Sequence, residues 1–219
     1  MSDAGDPWPE RRFSQAISEG DGISVIPRVW GELERLARAA ASSGAEALAV
    51  DSIADLASLR GMVELPLIVR HTAPEVAALE AARRAGADAV VVHFAPLADE
   101  EGLLEELVGV AWELGLDCAL DVRDEGELEQ ALERLDPEIL VLSERDPQQG
   151  ELELDRTLDL LADVPAGKLV VSESTVETRD QVLALERAGV DAVLLATSIG
   201  IDDRIAAVVA TLTGRAGAV

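Results

Sequence analysis

The sequence predicts an α/β protein of the (βα)8 TIM barrel class, a single domain around a parallel eight-stranded sheet, on three observations. Short apolar runs alternate with helical patterns about eight times along the chain. The runs mostly lack apolar–polar alternation, as expected of strands covered on both faces. A glycine recurs just ahead of strands, in SGAEALAV, AGADAVVV, LGLDCALDV and AGVDAVLLA, where it stops the preceding helix. Strand, helix and strand at this spacing make right-handed βαβ units. No G-x-G-x-x-G follows a strand, which counts against an open dinucleotide-binding sheet.

Taken in order, residues 1–12 read as a loose polar arm, and 13–219 as one barrel. The first strand is ISVI (23–26), halted at Pro27-Arg28. The helix after it starts by Gly31, in GELERLARAAASSG, with Leu33, Leu36, Ala37 and Ala40 on one stripe. Strands follow at ALAV (47–50) and PLIVR (66–70). APEVAALEAARRAG carries Pro74 near its first turn and stops at Gly86. AVVVH (89–93) leads into DEEGLLEELVGVAWELG, whose acidic start suits the positive end of a helix. CALDV (118–122) precedes the helical DEGELEQALERLD, and ILVL (139–142) and KLVVS (168–172) are the next strands. TVETRDQVLALERAG, AVLLA (192–196) and IDDRIAAVVATLTG, ending at Gly214, complete the chain.

The net charge of −25 opposes binding to nucleic acid or to an anionic membrane, both of which need a basic surface. No apolar run has membrane-spanning length, and MSDAGDPWPERRF has no signal-peptide core, so a cytoplasmic location is expected. A single cysteine, Cys118, leaves no internal disulfide and no multi-cysteine metal site. No cofactor is expected, and a metal held by His71, His93 and Asp121 is conceivable from the residue types, without a ligand geometry to support it. Lys168 is the only lysine, and it opens the seventh strand, at the end of the barrel that serves stability. The other basic side chains are arginines and two histidines, and arginine does not readily give up a proton.

Barrel sites lie at the C-terminal ends of the strands. Those ends carry Arg28, Asp51, Arg70 with His71, His93, Asp121 with Arg123, Ser143-Glu144-Arg145, Glu173-Ser174 and Thr197-Ser198. Asp121, Glu173, Arg70, His71 and His93 are the candidates for acid–base chemistry. Arg28, Arg145, Ser174, Thr175, Thr197 and Ser198 are the candidates for holding a substrate or an anion. The same residue types would also make a ring of structural Arg–Asp pairs.

RRFSQAISEGDGISVIPRV, GADAVVVHFAPL, GLDCALDVRDEGELEQAL, VLSERD and VVSEST, in this order, resemble indole-3-glycerol phosphate synthase. The resemblance runs from about Phe13 to about Leu212. It implies a (βα)8 lyase of tryptophan biosynthesis that closes an indole ring on a phosphorylated carboxyphenylamino-deoxyribulose, releasing carbon dioxide and water. Matched to that family's motifs, Val25 stands for a glutamate and Pro27 for the general-acid lysine of the first strand. Arg70 stands for a second catalytic lysine, and Asp121 for a longer glutamate. Of the sixth-strand motif only Arg145 is kept. Thr175 and Ala196 replace glycines of the phosphate-binding loops, and the first βα loop is too short to cover a substrate.

Three readings follow. One is the inherited lyase. Another is a different acid–base enzyme acting on a phosphorylated small molecule at the barrel mouth. The third is a non-catalytic barrel, kept as an anion-binding or interaction subunit whose open top face would receive a protein partner.

Overall fold

The structure, a computed structural model, describes residues 11–20, 22–70, 74–100, 102–143, 154–195 and 205–214. The strands are β1 (Ser24–Ile26), β2 (Leu48–Val50), β3 (Leu67–Val69), β4 (Ala89–His93), β5 (Asp117–Val122), β6 (Ile139–Leu142), β7 (Leu169–Ser174) and β8 (Ala192–Leu195). They form one parallel sheet in the order β1-β8-β7-β6-β5-β4-β3-β2. A parallel bridge between Arg28 and Ala49 brings the two outer strands together. There the Val29 N–H donates to the Ala49 carbonyl at 2.9 Å, and the Ala49 N–H to the Pro27 carbonyl at 3.0 Å. Proline lacks the donor but keeps the acceptor. Pro27 therefore ends β1 without opening the barrel.

The helices read from the sequence are α2 (Leu33–Ser42), α4 (Val76–Ala85), α5 (Leu103–Glu113), α6 (Glu125–Leu135), α8 (Arg179–Ala188) and α9 (Ile205–Leu212). Three further helices complete the set among the described residues: α1 (Arg12–Ser18), α3 (Ile53–Leu59) and α7 (Leu154–Leu161). At 7 or 8 residues they are too short to show a helical period clearly. α1 begins at Arg12, where the sequence places the end of the arm.

Each strand divides its side chains by parity, since successive residues point to opposite faces. Ile26, Ala47, Ala49, Ile68, Ala89, Val91, Ala119, Ile139, Val141, Val171, Ala192 and Leu194 share one cluster, the barrel lumen, with Phe13 and Ile17 of α1. The alternate positions, among them Val25, Leu48, Val50, Leu67, Val90, Leu120 and Leu140, pack with the helices. The lumen is narrow and takes many alanines. The outer layer is wide and takes leucine and valine.

The recurring glycine joins do more than stop helices. Two residues after the glycine stands an acid, and its carboxylate accepts an N–H near the start of the preceding strand. Glu46 takes the Val25 N–H at 3.1 Å, Asp88 the Leu67 N–H at 2.9 Å and Asp191 the Val170 N–H at 2.7 Å. Gly86 illustrates the turn itself: its φ is +96°, and a Cβ there would lie 2.4 Å from Cγ of Arg60. The fourth acid, Asp117, turns instead to the helix that plugs the barrel, accepting the Ser14 N–H at 2.8 Å.

Asp117 is fully buried, and burial pushes its carboxyl above the usual range, outweighing the Ser14 hydrogen bonds and the Arg11 charge. A raised carboxyl favours the fold below its unfolded value near 3.8, and that contribution is lost as pH rises through the folded value. Asp117→Asn keeps an acceptor for Ser14 and removes the buried charge. Relative to the parent, the variant is expected to gain stability as pH rises from 4 to 7. Urea midpoints across that range check it, and a constant difference would remove Asp117 as the cause.

Candidate functional site

The parity of the lumen selects the side chains that face the mouth. Two residues beyond Ile26, Ala49, Ile68, Val91, Ala119, Val141 and Val171 stand Arg28, Asp51, Arg70, His93, Asp121, Ser143 and Glu173. Seven strands thus deliver seven polar side chains to one layer. At the end of β1 the inward residue is Arg28. Pro27 shares the outward face with Val25 and Val29, which pack toward the helices. The inward residues of this strand are Ile26 and Arg28, whereas Val25 and Pro27, the positions matched to the family's motif, face outward.

The layer is held by two hydrogen-bonded groups. In the first, Arg28 donates to Oδ2 of Asp51 through Nε at 2.9 Å and also through Nη2. Arg70 Nη1 donates to Oδ1 of the same Asp51 at 3.0 Å, and its Nη2 to Oε1 of Glu173. Charges alternate along Arg28, Asp51, Arg70 and Glu173. Arg70 is only 2% exposed, so its guanidinium depends on these two carboxylates. Its Nε–H has no hydrogen-bond partner, an omission worth about 1–3 kcal/mol at a buried site.

In the second group Asp121 is the hub. His93 Nδ1 lies 2.6 Å from its Oδ2, the Ser143 hydroxyl donates to its Oδ1, and Arg123 Nε is 3.9 Å from Oδ2. His93 Nε2 lies 3.1 Å from the Arg70 carbonyl, which ties the two groups together. The order Ser–Asp–His differs from a nucleophile triad, in which histidine sits between the other two. Among the described residues the Ser143 hydroxyl donates to the Asp121 carboxylate and not to a histidine.

Burial would raise the Asp51 carboxyl, but the hydrogen bonds and charges of Arg28 and Arg70 together hold it below the usual value. Its contribution to stability is present above the unfolded value near 3.8 and is lost as pH falls through the lower folded value.

Of the residues singled out in the sequence, Arg28, Arg70, His93, Asp121 and Glu173 meet in this layer. Ser174 does not: its hydroxyl pairs with that of Ser172, on the face shared with Val170 rather than with Glu173. Thr175 follows β7 and is half-buried. His71, Arg145, Thr197 and Ser198 lie outside the described residues. Asp51 and Ser143 belong to the layer although the sequence assigned them no role. Their signal is the two-residue step from the lumen positions Ala49 and Val141. Lys168 sits at the opposite end of the barrel, paired with Asp136. Among the described residues, no group of three or more His, Cys, Asp or Glu side chains is placed to hold a metal ion, and no helix is long and apolar enough to cross a membrane.

Comparison with known proteins adds the lineage. The family model for indole-3-glycerol phosphate synthase matches residues 32–212, a span that begins after β1. The indole-3-glycerol phosphate synthase of Acetivibrio thermocellus is 34% identical over 140 residues, 64% of this chain and 53% of that protein. That of Albidiferax ferrireducens is 32% identical over 170 residues, 73% of this chain and 62% of that protein. The chain thus spans only a little over half the length of these curated relatives. Among solved structures, thiamine phosphate pyrophosphorylase from Pyrococcus furiosus matches with a TM-score of 0.63 at 16% identity, over 88% of this chain and 94% of that one. N-acetylmannosamine-6-phosphate 2-epimerase from Clostridium perfringens matches with a TM-score of 0.66 at 14% identity, over 82% and 87%. At such identities these two show the barrel fold alone. The family match covers most of the barrel, and on that ground the chain belongs to the indole-3-glycerol phosphate synthase family.

Proposed function

We propose that this family member does not close the indole ring and that its barrel serves as a non-catalytic or repurposed anion-binding or interaction subunit. The observation that carries this reading is the chain Arg28–Asp51–Arg70–Glu173, which pairs the mouth's charges with one another. The resemblance implies lysines as proton donors at the ends of the first and third strands. Pro27 and Arg70 stand at the matched places; proline has no side-chain donor, and guanidinium is a poor proton donor. The single lysine of the chain is engaged at the far end of the barrel.

The test is direct. The phosphorylated carboxyphenylamino-deoxyribulose is incubated with the protein, and indole-glycerol phosphate is followed by its fluorescence. No turnover is expected, and turnover that disappears in Arg70→Met would overturn the reading. A parallel thermal melt with indole-glycerol phosphate asks whether an anion site persists. Saturating ligand, at about 100 times its Kd, adds roughly 2.7 kcal/mol and should raise Tm by roughly 5–10 degrees. Among the described residues the large exposed apolar side chains are Met62 and Trp112. This favours a small anion over a permanent protein partner, which would need a broader apolar face.

A second reading, an acid–base enzyme acting on a phosphorylated small molecule, is favoured by the His93–Asp121 pair. A histidine held by a buried carboxylate at a barrel mouth would serve as a general acid once its Nε2 exchanges the Arg70 carbonyl for a substrate. His93→Gln should abolish any such activity while leaving ligand-induced melting shifts in place.

A further inference from the structure

We infer that Arg28 and Arg70 form a carboxylate-binding site and that the chain fills it itself with Asp51. The inference rests on the reading above, in which the mouth's charges are satisfied within the chain. Arg28 and Arg70 grip different oxygens of one carboxylate, at 2.9 Å from Arg28 Nε to Oδ2 and 3.0 Å from Arg70 Nη1 to Oδ1. Two guanidiniums on one planar anion is how proteins hold carboxylate and phosphate ligands.

Each arginine has support other than Asp51. Glu173 holds the far side of Arg70, and the Trp30 ring lies 5.1 Å from the Arg28 guanidinium carbon. Each arginine thus keeps one contact when Asp51 is removed. The site is also within reach of solvent, since the Arg28 and Asp51 side chains are 25% and 27% exposed. Asp51 itself is tethered. The Arg70 N–H binds the Val50 carbonyl at 2.9 Å, and the next residue, Ser52, caps α3 by accepting the Asp55 N–H. A carboxylate fixed on the chain outcompetes a free one, because its effective concentration is far above that of any dissolved anion. The native mouth is closed to carboxylate ligands at this point, and a small monocarboxylate should enter when Asp51 is cut back.

The experiment compares thermal melts in sodium acetate and in sodium chloride of equal ionic strength at pH 7. Asp51→Ala is expected to melt below the parent in chloride and to recover saturably in acetate, by roughly 3–6 degrees at ten times the acetate Kd. The parent should melt alike in both salts. Asp51→Asn, which still fills the space, should not recover, and neither should Asp51→Ala/Arg28→Ala. An Asp51→Ala protein indifferent to acetate overturns the inference, as does a recovery that survives loss of Arg28. If Asp51→Ala does not fold in either salt, the parent decides through the carbon-13 carboxylate line of labelled acetate. Broadening that is present in the parent and absent in Arg28→Ala shows the site open and overturns the inference; equal lines uphold it. None of these outcomes depends on turnover, so failure of the functional reading and failure of this one are told apart.

Discussion

Arg70→Met is expected to lower the unfolding free energy by about 3–5 kcal/mol, the range for removing one partner of a buried ion pair. Methionine fills much of the space, so the loss reports charge more than volume. Glu173 loses the Arg70 charge that it faces, and at 5% exposure it has little access to water to replace it. Asp51 fares better, because it keeps Arg28 and stands partly in solvent. Glu173→Leu should also be costly, since Arg70 then keeps only the Asp51 oxygen. The double variant Arg70→Met/Glu173→Leu removes both charges together and should recover most of the loss. Urea unfolding of the four proteins gives the coupling as a double-mutant cycle. Additive losses would mean that the pair stabilises nothing as a pair. The charge chain would then be a set of independent rim contacts.

The fold was legible because the strands announce themselves. AVVVH and ILVL are β4 and β6 to the residue. The other strands shift by one or two residues at their ends, where the backbone changes partners gradually. α1, α3 and α7 were not legible, since a helix of two turns leaves few apolar positions to set a period; α9, as short, was read from the longer pattern that ends at Gly214. The site was legible as a list of strand-end residues but not as a layer. What separates Glu173 from Ser174, or Arg28 from Pro27, is parity. A strand covered on both faces hides parity behind a continuous apolar run. The signal is size: Ala47, Ala49, Ala89, Ala119 and Ala192 mark the narrow lumen, and the leucines and valines between them mark the helix side. Counting by twos from those alanines reaches Asp51 and Asp121 directly. The pairing of Asp51 with two arginines from other strands could not be counted out in this way, because it depends on how far each strand end rises above the barrel.

The alanine layer also sets the second large effect, at the opposite end. Phe13 of α1 is fully buried in the lumen cluster, with Ile17 one turn on. The ring shares that cluster with the small side chains Ala89, Ala119 and Ala192 of β4, β5 and β8. Phe13→Ala is expected to cost about 3–5 kcal/mol, toward the upper part of that range. The usual relief for a large-to-small change is collapse of the surroundings. Here the surroundings are strands fixed by hydrogen bonds on both sides, and they cannot close on the void. Phe13→Leu keeps most of the volume and should cost less. The loss should appear as a lower urea midpoint with an unchanged m-value, because the plug contributes stability without altering the surface exposed on unfolding. A midpoint equal to the parent's would mean that α1 rests outside the core and that the lumen is filled from the strands alone. The Ser14 N–H to Asp117 bond argues against that outcome, since it fixes the helix to β5 one residue beyond the ring.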